Sequence, residues 1–305
     1  MTLHPQAAAV LAVWNQEPST VGADLAEIQR RRRAAVEEAA AEPHEPVAEA
    51  VEVDADGVAC RLFRPVGGGR GAVVHAHGGG FVYGDATVHD AQARRLANRL
   101  GRSVLLVDYR RPPEHPFPAA HDDVSTAARW LGREADGLGL DAAHLVALGD
   151  SAGGNLALVA ALRDPGLFAA CVLVYPFVDP RLRGESFASE GGHGLTREES
   201  DWFWRTYAGS DERHRELLDD PEFCPVDAPG LGTLPPTQVF VAEHDVLGDE
   251  ADLLAERMTA AGVEVETLRC AGMIHGFWRH PEAFDAAEAA YAATAAFLDR
   301  VLGAG

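Results

Sequence analysis

The 305-residue chain contains no lysine; all 26 of its basic residues are arginine. Chemistry that needs a titratable amine is thereby excluded, including Schiff-base and pyridoxal catalysis, Ser–Lys dyads and the lysine of a phosphate-binding loop. Positive charge is scarce altogether: 47 acidic residues face those 26, and the formal charge is −21. Such a surface repels phosphate backbones and anionic lipid, so neither nucleic acid nor membrane is an expected partner. Cysteine is sparse too. Cys60, Cys171, Cys224 and Cys270 form no C-x-x-C pair, which argues against a zinc ribbon or a disulfide framework and for reduced, buried thiols. No apolar run reaches membrane-spanning length, and Ala7–Trp14 lacks the basic flank and cleavage pattern of a signal peptide. The expectation is a cytoplasmic protein.

What is present is an ordinary globular composition, 47% hydrophobic and 24% charged, at a length that suits one large α/β domain with an inserted cap. Residues 1–45 read as N-terminal helices, with the Arg30–Arg33 run as a solvated helix face. A hairpin is expected over Val47–Val53 and Val58–Phe63. Short apolar runs then alternate with helix-spaced stretches. Ala72–His77, Ser103–Asp108, His144–Gly149, Ala169–Val174, Thr237–Ala242 and Val263–Arg269 are the expected strands, separated by repeated helical segments. This pattern predicts an α/β fold with a mostly parallel central sheet flanked by helices. Residues 181–234 break the alternation and read as a cap insertion, leaving 46–180 and 235–305 as the two parts of the core.

The sharpest local signal is Gly149-Asp150-Ser151-Ala152-Gly153, placed between an apolar strand and a helix. A nucleophile elbow needs small residues two before and two after the serine, so that strand and helix can pass closely. Alone, the motif also fits a glycine-rich turn with an incidental serine. Upstream, His77-Gly78-Gly79-Gly80 follows a strand and can aim bare backbone N–H groups at one point. Gly79 and Gly80, with Ala152 from the elbow, are candidates for an oxyanion hole, each donor worth about 2.7–4 kcal/mol to the transition state. The competing reading, a phosphate loop, lacks G-x-G-x-x-G spacing and a lysine.

A serine needs a base, and the base an orienting acid. In sheets of this type the order along the chain is Ser, then Asp or Glu, then His, each after a strand. Of the histidines beyond Ser151, His275 in Gly272-Met273-Ile274-His275-Gly276 fits that order. His193 and His214 fall in the inserted region, His244 leaves no strand between itself and an acid, and His280 precedes Pro281 at a helix start. Asp245 is the expected acid, with Glu243 as runner-up. Two other constellations suggest metal only weakly. His75-Ala76-His77 reads as a packed pair on a buried strand, and His115, His121, Asp122 and Asp123 belong to a rigid loop entering a helix.

Taken together, these pieces resemble the hormone-sensitive-lipase-like family of α/β-hydrolase carboxylesterases with an H-G-G-G motif. The matching segments are His77–Phe81, Asp108-Tyr109-Arg110, Pro113-Glu114-His115-Pro116-Phe117-Pro118, Gly149–Gly154, Glu243-His244-Asp245 and His275-Gly276-Phe277, running in family order. Departures are Arg111-Pro112 and the Val246 and Gly248 positions, none of them in the triad. The resemblance implies Ser151, Asp245 and His275 as the catalytic triad, Gly79, Gly80 and Ala152 as oxyanion donors, and a helical cap over the acyl pocket. It also implies hydrolysis of short- to medium-chain acyl esters through an acyl-enzyme, with no metal or organic cofactor. Phe81, Trp202 and Tyr207 are the candidates for substrate contact, although the Trp202-Phe203-Trp204 cluster equally suits packing. Amidase, lactonase or deacetylase chemistry uses the same triad. A non-catalytic binding protein on this scaffold is the remaining alternative, disfavoured by the presence of His275. The expected partner is a small ester, with a homodimer left open.

Overall fold

A computed structural model of the chain describes residues 2–303. Two helices lead, α1 (Pro5–Trp14) and α2 (Leu25–Ala39), followed by the hairpin β1 (Glu49–Ala55) and β2 (Val58–Arg64). Then come β3 (Ala72–Ala76), α3 (Asp90–Leu100), β4 (Ser103–Val107), α4 (Ala119–Glu134), β5 (Leu145–Asp150), α5 (Ala152–Arg163) and β6 (Ala170–Val174). Three helices without an intervening strand follow: α6 (Ser186–Ser189), α7 (Arg197–Ala208) and α8 (Asp211–Leu217). The chain closes with β7 (Thr237–His244), α9 (Gly248–Ala260), β8 (Val265–Ile274) and α10 (Asp285–Leu302). The strands form one 8-stranded sheet in the order β1-β2-β4-β3-β5-β6-β7-β8. Its first two pairings, β1 with β2 and β2 with β4, are antiparallel, and the others are parallel.

Every residue of β3, β4, β5 and β6 is buried, as expected of parallel strands covered on both faces. Because side chains alternate, each strand feeds two cores. Val74, Leu105, Ala147 and Leu173 face the layer holding α4, α5 and α9. Val73, Leu106, Leu148 and Val172 face the layer of α3 and α10. The α5 helix is apolar almost all round and buried from Ala152 to Ala161, so it serves as the central strut behind the sheet.

Two details differ from the expected pattern. The last strand extends to Ile274 rather than Arg269, because pairing with β7 resumes beyond an irregularity between Ala242 and His244. As the open edge of the sheet, β8 has only half-buried and exposed positions before its last three residues, which weakens its apolar signature. The arginine run is not simply solvated either. Arg30 and Arg31 pair with Glu27, but the Arg32 side chain is only 16% exposed. It donates from Nε to the Val82 carbonyl at 2.9 Å and from Nη1 to Glu114 at 3.0 Å, fastening α2 to two loops of the core.

Candidate active site

The serine at the end of β5 has φ 56° and ψ −124°, a conformation that costs a non-glycine residue on the order of 1–3 kcal/mol. Its surroundings leave no alternative: the Ser151 N–H donates to Val174 at 2.8 Å, and its carbonyl accepts from Gly154 at 2.9 Å and Phe177 at 3.1 Å. The turn works only because its neighbours are glycine. A Cβ on Gly153 would fall on the Ala76 carbonyl of β3, and one on Gly149 would fall on the Gly153 carbonyl. Gly153→Ala should therefore destabilise the fold by at least about 1–3 kcal/mol, read as a lower urea midpoint, since backbone rather than a movable side chain blocks the new methyl.

The three residues singled out along the chain meet here. The Ser151 hydroxyl lies 2.9 Å from His275 Nε2, and His275 Nδ1 lies 2.7 Å from Asp245 Oδ2. Asp245, 2% exposed, sits just past β7, and its other oxygen accepts the Leu247 N–H at 3.0 Å. The imidazole, which follows β8 directly, packs against the Tyr175 ring at 4.6 Å. Glu243 is turned elsewhere, accepting the Gly272 N–H at 2.7 Å.

On the other side of the serine, Gly79 and Gly80 have φ of 114° and 59°. Among the described residues, the backbone N–H groups of Gly79, Gly80 and Ala152 have no protein acceptor. Unpaired donors beside a serine hydroxyl are an arrangement that could receive a developing oxyanion. A Cβ on Gly80 would collide with the Phe203 ring, so the loop and the α7 side chain define one another's position. His77 supports this loop from beneath. It is buried, stacked on Tyr109 at 4.2 Å, and its carbonyl accepts the Tyr109 hydroxyl at 2.8 Å.

These groups border a cavity of about 190 Å³. Its walls include Tyr83, Phe177, Leu195 and Phe203, with Arg279 at one side. Of the expected substrate contacts, none lines it. Phe81 is buried and stacked face to face on Tyr207 at 3.9 Å, and Tyr207 is equally buried. Trp202 packs against Phe203 and Tyr83 at the flank of the cavity. Of that aromatic run only Phe203 reaches the cavity. Tyr83 and Phe177 belong to no motif in the sequence, yet both lie on loops leaving the carboxyl ends of parallel strands, where ligands bind in open α/β sheets.

The histidines of 75–77 and 115–121 are packing or surface groups. His75 lies 3.6 Å from Asp150 in the interior, while His115 is exposed and His121 is buried. His121 of α4 joins the α7 segment to the core: the Tyr207 hydroxyl meets its Nδ1 at 3.0 Å, and its Nε2 meets Asn155 Oδ1 at 2.8 Å. Burial pushes the His77 ring down to about 3 and the His121 ring down to about 4, from 6.5. Unfolded chains take up these protons near pH 6.5 while the fold refuses them, so stability falls as pH drops from about 6.5 toward 4. Each ring should cost about 2 kcal/mol at pH 5 relative to pH 7. Urea midpoints at the two values check the sign, and His121→Gln should flatten the dependence.

Comparison with known proteins agrees with this architecture. Residues 73–279 match the family model described as alpha/beta hydrolase fold. The chain belongs to the alpha/beta hydrolase family. It is 40% identical to a carboxylesterase, NlhH, of Mycobacterium tuberculosis over 67% of this chain, and it spans 66% of that relative, just short of two thirds. Two solved structures align over nearly their whole length. One is a hyperthermophilic esterase of Pyrobaculum calidifontis, at 35% identity and TM-score 0.87, covering 98% of this chain and 99% of the other. The second is an esterase of the bacterial hormone-sensitive lipase family, at 27% identity and TM-score 0.86, covering 99% and 100%. Among the described residues, no helix is long and apolar enough to cross a membrane.

Proposed function

We propose that this chain is a serine carboxylesterase that cleaves short- to medium-chain acyl esters by two-step acyl transfer. Ser151 attacks the ester carbonyl while His275 Nε2 takes its proton, and the imidazolium then hands that proton to the departing alcohol. Water, deprotonated by the same ring, releases the acid from the acyl-enzyme. Asp245 holds the ring with Nδ1–H toward itself and steadies the imidazolium. The N–H groups of Gly79, Gly80 and Ala152 receive the tetrahedral oxyanion. The helices of 1–45 and 181–234 act as the cap. The observation that carries this reading is the relay of 2.9 and 2.7 Å opening at a strained elbow onto unpaired N–H groups. The relatives named as esterases support it.

The acyl range follows from volume. An apolar cavity of about 150 Å³ holds benzene, and this one, at about 190 Å³, holds an acyl chain of similar bulk. Truncating its Phe203 wall should admit longer chains. In Phe203→Ala the ratio of kcat/KM for octanoyl over butanoyl nitrophenyl esters should rise at least about tenfold, since accommodating even one methylene is worth about 10–200-fold. An unchanged ratio would place the acyl chain elsewhere. A fluorophosphonate that labels Ser151 separates a hydrolase from a binding protein, and matched esters, amides and lactones rank the bond types. The free thiols, three of them buried, fit a reducing cytoplasm, which cell fractionation tests.

A further inference from the structure

A second cluster of ligating side chains lies outside the triad. The Gly-rich turn after α6 carries Glu190 and His193, and His244 ends β7, one residue before Asp245. Both imidazoles address a single carboxylate oxygen: Glu190 Oε2 lies 3.0 Å from His193 Nδ1 and 2.9 Å from His244 Nδ1. One donor atom from each residue lies within 4.8 Å of the other two. Tetrahedral zinc, with bonds of about 2.0–2.1 Å, needs donors about 3.3 Å apart, so these side chains would close on an ion by small rotations. His244 is buried, and its Nε2 has no partner. Glu190 alone of the three also borders a neighbouring cavity. A cavity of about 400 Å³ behind Asp245 is lined by Glu190, Glu243, Asp245, Asp249 and Asp252, opposed by Arg269. This acidic lining raises the local cation concentration beside Glu190.

We propose that Glu190, His193 and His244 form a binding site for a zinc-like divalent cation that fastens the turn of residues 190–195 to the end of β7. Two imidazoles and one carboxylate are the ligand set of borderline cations, rather than of calcium or magnesium, which take oxygens. Protein supplies three ligands and water the fourth. The cation acts by holding the turn: Leu195, at the end of the same turn, lines the cavity beside Ser151, so fastening the turn steadies one of its walls. The assignment does not rest on the esterase reading.

The test uses the full chain, stripped with chelator, dialysed and titrated with zinc chloride by calorimetry, with cobalt(II) as a visible reporter of tetrahedral coordination. One zinc per chain is expected. Affinity should fall at least tenfold in His193→Ala and in Glu190→Gln, and stay unchanged in Ser151→Ala and in His280→Ala. His280 is the apt control because its imidazole meets Glu282 at 3.0 Å and, among the described residues, joins no group of three ligands. At a hundredfold excess over the dissociation constant, zinc should raise Tm by about 5 °C in the wild type. Absence of binding, or binding undiminished in both ligand variants, would overturn the site. A Tm unmoved by bound zinc would overturn the fastening.

Discussion

Ser151→Ala is expected to lower ester turnover by about 10⁴–10⁶-fold while leaving the unfolding transition in place. The large loss follows because no other hydroxyl occupies the point 2.9 Å from His275 Nε2, and because members of such a relay act as a unit. The fold survives because the elbow is held through the Ser151 backbone, by Val174, Gly154 and Phe177, and not through its side chain. Steady-state kinetics on a butanoyl nitrophenyl ester, with urea denaturation alongside, measures both. A variant retaining activity within tenfold of the wild type would remove Ser151 from the chemistry.

The second large effect separates two neighbouring acids. In Asp245→Asn the oxygen that accepts the Leu247 N–H must stay an oxygen, so the amide NH₂ takes the place of Oδ2, 2.7 Å from His275 Nδ1. That donor forces the ring into the tautomer with Nε2–H facing Ser151, where it can no longer accept the proton. A loss of about 10⁴ in kcat is expected, as for the equivalent change in other serine hydrolases. Glu243→Gln should cost little, because a glutamine oxygen can still accept the Gly272 N–H. Measuring kcat for both variants decides the matter, and a reversed ranking would assign the orienting role to Glu243.

The parts of the site legible in the sequence share one property: the steric demand that makes them work is local. Gly149 and Gly153 must be bare for β5 and α5 to pass, and Gly79 and Gly80 must be bare to turn N–H groups inward. Order along a parallel sheet then points to the loops after β7 and β8. The cavity wall was not legible in this way. Phe81 and Phe203 are both aromatic and both near glycine or cap, yet one is stacked in the core on Tyr207 and the other faces the cavity. Nor did Arg32 stand out from Arg30, Arg31 and Arg33, since its partners Val82 and Glu114 lie far along the chain.

The amino-acid order by itself determined the parallel sheet and the nucleophile turn, because burial on both strand faces and close backbone approach leave their mark on adjacent residues. Which rings border the cavity, which arginine anchors the leading helices, and that Glu190, His193 and His244 meet at one point were decided only in three dimensions. Each of those depends on side chains from remote segments packing together, and no periodicity within either segment records which partner it will find.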